Sequence, residues 1–278
     1  MKNSGRGTEA QRHKGVSFNM KRPFGQHFLF DLNILGKILD CSSVTPDDTV
    51  VEIGPGLGRL TKLLSERVKN VIAIEFDKKL IARLRENLST KTNVEVVTAD
   101  ALKFPYDTIK GSFRVVANIP YYITTPLIFR LLEFRAKIPS MTLLMQKEVA
   151  KRIVALPGGK DYGVLSISIR LYTKPEIKFR VSGKAFSPPP KVDSAVVHFK
   201  VSSSPRYKVS DEALFLKIVR TAFSQRRKTI VNSLKLFQGV KDALREAGID
   251  PGIRPEKLSI QDFIRLADAL PPPETFKE

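Results

Sequence analysis

The chain has 278 residues, enough for about two domains, and its 42% hydrophobic and 27% charged residues exclude wholesale disorder. Lys and Arg number 47 against 28 Asp and Glu, a net charge of +19, which points to a polyanionic partner because each phosphate neutralised releases condensed counterions. No stretch approaches the roughly 20 apolar residues of a membrane span, and no apolar h-region marks a secretory signal. A single cysteine, Cys41, and three scattered histidines, His13, His27 and His198, argue against an internal disulfide or a metal site. The expectation is a cytoplasmic, metal-free monomer.

Residues 1–20 read as a disordered basic arm, with six Lys/Arg up to Arg22 against one Glu. Leu32, Leu35, Ile38 and Leu39 then recur at helical spacing over 31–44, with Asp31 as a plausible N-cap. From Thr49 strands and helices alternate. Strands are expected over 49–54, 71–74, 94–97, 114–117 and 141–145. Helices are expected over 58–68, 78–88, 126–133, 148–155 and 164–171. Two further strands, near 176–181 and 195–201, have only a Pro-rich loop between them and should pair antiparallel at one edge. Strands such as Val71-Ile-Ala-Ile74 are apolar at every position, as a strand covered on both faces must be. The fold class is therefore α/β, a mostly parallel sheet, up to a boundary near Ser202-Ser-Ser-Pro205. Beyond it the chain reads as helices only, over 211–223, 229–237, 240–247 and 260–270. The domains are taken as 21–203 and 204–278.

Three positions mark a nucleoside cleft. Glu52-Ile-Gly-Pro-Gly-Leu-Gly58 joins a strand to a helix, and Gly54 and Gly56 let a ligand approach the backbone. A tight turn alone explains such glycines equally well. Glu75, however, ends the next strand 21 residues after Gly54, where a carboxylate can accept both ribose hydroxyls. Asp100 ends the third strand and can accept from an adenine amino group. No Walker Lys-Ser/Thr follows the glycines. Glycines at alternate positions after Glu52, with acidic residues ending strands one, two and three, resemble class I S-adenosylmethionine-dependent methyltransferases, a resemblance that implies this phosphate-free sulfonium cofactor.

Asn118-Ile-Pro-Tyr121 follows the fourth strand. The exocyclic nitrogen of adenine is a poor nucleophile because its lone pair is delocalised into the ring. Two acceptors, the Asn118 side-chain oxygen and the Ile119 carbonyl, can bind its two N–H groups and favour a pyramidal nitrogen. Pro120 stiffens the turn and Tyr121 offers a stacking face. This is catalysis by positioning. In Ala185-Phe-Ser-Pro-Pro-Pro-Lys-Val-Asp-Ser194, Phe186 can sandwich the base against Tyr121, or can equally be a core residue under a proline turn. Gln26-His-Phe-Leu29 precedes the first helix and can fold over the cofactor, His27 and Leu29 touching its methionine end. Arg226, Arg227 and Lys228, beside Gln225 and Thr229, form an expected RNA phosphate patch.

Taken in order, Gly25-Gln-His-Phe-Leu29, the Glu52–Gly58 turn, Asn118–Tyr121, Leu144-Met-Gln-Lys-Glu-Val-Ala150, Pro157-Gly-Gly-Lys-Asp-Tyr-Gly163, Phe186-Ser-Pro-Pro-Pro-Lys-Val-Asp-Ser194 and Ala222-Phe-Ser-Gln-Arg-Arg-Lys228 resemble the KsgA-type small-subunit ribosomal RNA adenine dimethyltransferases. The resemblance runs from about Lys21 to Leu270. It implies a class I methyltransferase, a Rossmann-like seven-stranded, mostly parallel sheet with one antiparallel edge strand, plus a small all-helical C-terminal domain. It implies dimethylation of two adjacent adenosines in the 3′-end hairpin loop of small-subunit rRNA, in a pre-ribosomal small subunit. It also implies cofactor contacts at His27, Leu29, Gly54, Glu75, Asp100 and Asn118. Position 27 is often Asn in that family, and the arm before Lys21 is longer than expected. The erythromycin-resistance methyltransferases of large-subunit rRNA share the glycine turn and Asn-Ile-Pro-Tyr, but the Gln-Arg-Arg-Lys and Tyr-Gly elements favour the small-subunit enzymes. A non-catalytic assembly or transcription factor on the same fold is the alternative from another class.

Overall fold

The computed structural model describes residues 27–225 and 227–271. The arm over 1–20, the segment 21–26 and Arg226 therefore lie outside the described residues. In chain order the elements are β1 (Phe28–Leu29), α1 (Leu32–Ser42), β2 (Thr49–Ile53), α2 (Arg59–Ser65), β3 (Asn70–Glu75), α3 (Lys78–Asn87), β4 (Val94–Thr98), β5 (Arg114–Asn118), α4 (Thr124–Glu133), β6 (Ser140–Gln146), α5 (Lys147–Val154), α6 (Val164–Tyr172), β7 (Thr173–Val181), β8 (Phe186–Ser187) and β9 (Ser194–Val201). Four helices follow: α7 (Glu212–Ser224), α8 (Ile230–Ser233), α9 (Val240–Glu246) and α10 (Ile260–Ala269).

Seven strands form one sheet in the order β4-β3-β2-β5-β6-β9-β7. The first five of these neighbours pair in parallel, whereas β9 runs antiparallel to both β6 and β7. The chain leaves β2 outward through β3 and β4, then returns to β5 on the other side of β2. That reversal opens a crevice at the carboxyl ends of β2 and β5, where open α/β sheets bind ligands.

Alternate residues of each strand feed two cores. Val50, Val116, Leu144 and Val196 meet Leu35, Ile38 and Leu39 of α1 and Leu60 and Leu64 of α2. Val51, Val115, Leu143 and Val197 meet Leu127, Ile128 and Leu131 of α4 on the opposite face. Asp31 caps α1 as its sequence suggests, accepting from the N–H groups of Asn33 and Ile34 at 2.9 and 3.3 Å. A third core holds Phe215, Ile218 and Val219 of α7 with Phe263 and Leu266 of α10, and it includes Tyr162, Ile167 and Leu171. The all-helical part is thus packed on α6 through apolar residues that precede it in sequence.

Three details depart from the sequence expectation. Strand β7 begins at Thr173 and contains Pro175, which an edge strand tolerates because it lacks a neighbour on one side. Helix α8 ends at Ser233 rather than continuing to 237, because the chain turns through a Phe237 N–H to Leu234 carbonyl bond of 2.8 Å. The third is a two-residue antiparallel pairing of β1 with β8, Phe28 opposite Ser187 and Leu29 opposite Phe186.

Candidate active site

Gly54 and Gly56 sit just beyond β2 at φ +69° and +58°, a region that residues with a Cβ seldom enter. The close approach matters as much as the angle. A Cβ on Gly56 would lie 2.7 Å from the Phe28 ring, and one on Gly54 would lie 3.4 Å from Pro120. The turn is thus held between the segment before α1 and the Asn118–Tyr121 turn. Glu75, at the end of β3, crosses to it: Oε2 accepts from the Gly56 N–H at 3.1 Å and Oε1 from the Asp77 N–H at 2.9 Å. Burial pushes the Glu75 carboxyl up, and the N–H donors oppose that shift. Asp100, just beyond β4, is oriented by the Leu102 N–H, which donates to Oδ1 at 2.9 Å.

These groups line one cleft of about 270 Å³, together with His27, Asn118, Ile119, Pro120 and Tyr121. Its acids are Glu75, Asp77 and Asp100, and among the described residues no Lys or Arg lines it. In a chain of net charge +19 that is a selective omission. Among the described residues a phosphate would meet three carboxylates and no Lys or Arg. A neutral nucleoside carrying a positive centre meets acceptors for its hydroxyl and amino donors.

A smaller cavity of about 40 Å³ adjoins the first and shares Phe28, Gly54 and Asn118 with it. Leu29 and Glu52 line this second space. Glu52 is 2% exposed, and its Oε2 has no hydrogen-bond partner among the described residues. Burial raises its carboxyl to about 8; the Thr61 hydroxyl opposes the shift and neighbouring Glu75 adds to it. Arg59 lines the same small cavity, and a carboxyl raised to about 8 is protonated near neutrality, so Glu52 enters the site as a neutral acid.

Asn118 ends β5, and its Nδ2 points at the His27 carbonyl, 3.5 Å away. A carbonyl only accepts, so the amide's NH₂ faces it and Oδ1 is left as an acceptor for a ligand. The Ile119 N–H is tied to the Leu144 carbonyl at 3.1 Å, which anchors the turn to β6. Tyr121 opens the single 3₁₀ turn Tyr121–Ile123, and its ring lies 5.9 Å from that of His27, tilted by 32°. His27 Nδ1 stands 2.7 Å from the Pro188 carbonyl, which fixes a proton on that nitrogen.

Comparison with known proteins decides the family. The profile described as ribosomal RNA adenine dimethylase matches residues 17–271. The chain belongs to the ribosomal RNA adenine dimethylase family. Ribosomal RNA small subunit methyltransferase A of Caldanaerobacter subterraneus is 45% identical, with 90% of this chain and 97% of that protein covered. The protein of the same name from Moorella thermoacetica is 43% identical, with 96% and 97% covered. Among solved structures, a dimethyladenosine transferase from Plasmodium falciparum superposes with a TM-score of 0.73 at 30% identity, covering 86% of this chain and 96% of that one. The 23S rRNA methyltransferase ErmE gives 0.70 at 30% identity, covering 87% and 99%.

As a member of the rRNA adenine dimethylase family, the chain is an S-adenosylmethionine-dependent methyltransferase. The residues present fit that cofactor. Among the described residues no Lys or Arg lines the main cleft, which suits a phosphate-free nucleoside, and Glu75 and Asp100 offer acceptors for its hydroxyl and amino donors. Among the described residues no group of three or more His, Cys, Asp or Glu could hold a metal ion. No described helix is long and apolar enough to cross a membrane.

The structure brings His27, Gly54, Gly56, Glu75, Asp100, Asn118, Ile119, Pro120 and Tyr121 to the main cleft and Leu29 to its smaller neighbour. Phe186 is the exception. It is 2% exposed and packs with Leu29, Val181 and Val196, not in the cleft, so the expected sandwich of a base between Phe186 and Tyr121 does not form in this structure. The cause is its place in the β1–β8 pair, where Phe186 turns to the core and Ser187 to solvent. Withdrawing such a ring from the core would cost about 1.5–3 kcal/mol. Arg227 and Lys228 are exposed in the turn after α7, away from the cleft lining.

Sequence reasoning missed four aromatic or acidic lining residues, Phe28, Phe76, Asp77 and Tyr122. Phe76 and Asp77 follow Glu75 directly and were legible as continuations of that strand end. Phe28 was not, because only the β1–β8 pairing aims it at the glycine turn.

Proposed function

We propose that this chain dimethylates the exocyclic amino groups of two adjacent adenosines in the hairpin loop near the 3′ end of small-subunit rRNA, acting as a monomer in the cytoplasm on a partly assembled small subunit. The observation that carries the reading is the orientation of Asn118. Its Nδ2 lies 3.5 Å from the His27 carbonyl, which leaves Oδ1 as the amide's acceptor on a residue that lines the cleft.

When bound, S-adenosylmethionine would supply a methyl group on a sulfonium centre, whose carbon–sulfur bond breaks as the amine nitrogen bonds to the methyl carbon, the thioether leaving with the electron pair and the amine's surplus proton passing to solvent. Glu75 and Asp100 accept from the nucleoside's ribose hydroxyls and adenine amine, and Glu52 and Leu29 hold the methionine end beside Gly54. On the other side, Asn118 Oδ1 and the Ile119 carbonyl accept the two N–H groups of the target amine. That geometry draws its lone pair out of conjugation. Asn118 carries no charge and takes no proton; its contribution is orientation, with Pro120 stiffening the turn and Tyr121 forming the wall along which the base lies. A base inside RNA must leave its stack to reach this depth. The patch at Arg226, Arg227 and Lys228 holds RNA phosphates. The relatives named for small-subunit methylation share 43–45% identity with this chain, against 30% for ErmE, which favours the small-subunit substrate.

The test is mass spectrometry of rRNA fragments after incubation of the protein and S-adenosylmethionine with small subunits from cells lacking the modification. Two dimethylated adenosines in the 3′ hairpin are expected. Modification of large-subunit rRNA alone would overturn the reading.

A further inference from the structure

We propose that Ser194 is a positioning residue for methyl transfer, holding Tyr121 by a hydroxyl–hydroxyl hydrogen bond and so fixing the wall against which the target base lies. The proposal rests on the reading of Tyr121 as base-facing.

Tyr121 Oη and Ser194 Oγ are 2.7 Å apart. The two ends of this bond differ in mobility. Tyr121 begins a one-turn 3₁₀ helix closed by the Ile123 N–H to Pro120 carbonyl bond of 3.1 Å and the Thr124 N–H to the Tyr121 carbonyl, and so short a turn constrains its side chains weakly. Ser194 is fully buried at the start of β9, in register with Gln146 of β6 on one side and Val181 of β7 on the other. The residue before it is clamped twice. The Lys147 N–H donates to the Asp193 carbonyl at 3.0 Å, and Lys147 Nζ pairs with Asp193 Oδ2 at 3.0 Å.

A tyrosine ring on a short turn has three staggered χ1 wells open to it. Tying its hydroxyl to an atom fixed by three strands retains one. The ring then presents a constant face beside Asn118, so the target amine arrives at the acceptors in one orientation. Ser194 does not line the cleft, and it acts only through Tyr121.

The experiment compares Ser194→Ala, Tyr121→Phe and the double variant in single-turnover methylation of unmodified small subunits, with cofactor affinity measured by equilibrium dialysis. Each single change should slow transfer about tenfold, the worth of one neutral hydrogen bond, with cofactor affinity held within about twofold. The double variant should be no slower than either single, and Ser194→Thr, which keeps a hydroxyl, should recover most of the rate. Losses that multiply in the double variant, or a loss confined to cofactor affinity, would overturn the proposal. Should Ser194→Ala fail to fold, Tyr121→Phe removes the same bond from the half-buried partner, and a full rate there refutes the tether. Tyr121→Ala separates the underlying reading. Undiminished transfer in that variant defeats the base-facing role itself, whereas loss there with a full rate in Tyr121→Phe defeats only the tether.

Discussion

The Gly56 N–H donates to Glu75 Oε2 at 3.1 Å, joining the turn after β2 to the carboxylate that ends β3. This one bond makes the glycine turn and the ribose-binding acid a single unit, so damage to either should disturb both.

Gly56→Ala tests that unit. The new Cβ would be 2.7 Å from the Phe28 ring at a φ of +58°, so strain and clash coincide. Replacement should destabilise the chain by about 1–3 kcal/mol and remove measurable cofactor binding. Denaturant unfolding and equilibrium dialysis check the two effects, and retention of wild-type affinity would show that the turn does not face the cofactor.

Glu75→Gln keeps the size of the side chain but replaces one acceptor oxygen with an NH₂ group. A hydrogen bond to a charged group is worth roughly 1.5–3 kcal/mol. Cofactor affinity should fall on the order of 10- to 100-fold, measured by dialysis, with the fold retained by circular dichroism.

Asn118→Ala should leave cofactor binding within a few fold and lower transfer by on the order of 10²- to 10³-fold, as expected for loss of a preorganised polar group that acts in the transition state. Equal loss of binding and transfer would contradict the role assigned to Oδ1.

Glu52 gives a pH signature. Its carboxyl sits at about 8 in the folded chain against an ordinary 4.5, so the folded state holds the proton more tightly than the unfolded state. An acid shifted upward costs no stability below the unfolded value and costs progressively more as pH rises from about 4.5 to about 8. Glu52→Gln removes that dependence. Without cofactor it should be more stable than wild type at pH 8, by on the order of 4 kcal/mol, and closer to it at pH 5. Urea melts at both pH values decide. A difference that does not change with pH would mean the group is ionised throughout.

Changing Arg226, Arg227 and Lys228 to Ala should weaken RNA binding and flatten its salt dependence, by roughly 0.7–0.9 in the log–log slope for each phosphate no longer neutralised. Filter binding between 50 and 200 mM salt reads it directly, and an unchanged slope would remove the patch from the interface.

Much of this molecule was readable from the chain alone. The all-apolar run Val71–Ile74 reads as a strand covered on both faces, and it forms β3 in the middle of the parallel part of the sheet, between β2 and β4. The antiparallel pairing at one edge follows from the absence of a helix between β7 and β9. Gly54, Glu75, Asp100 and Asn118 were readable as one site because each ends a parallel strand, and strand ends converge by topology.

What the sequence left open were matters of direction and of partners distant along the chain. Phe186 could serve the cleft or the core; the pairing of Leu29 with Phe186, 157 positions apart, turned it inward. The tautomer of His27 depended on a carbonyl at Pro188, and the freedom of Asn118 Oδ1 on a carbonyl at His27. Local patterning fixes which face of an element is apolar, because that choice repeats every two or 3.6 residues. It cannot fix which lone pair remains free, since one neighbour from elsewhere in the fold decides that, and such a neighbour leaves no period in the sequence.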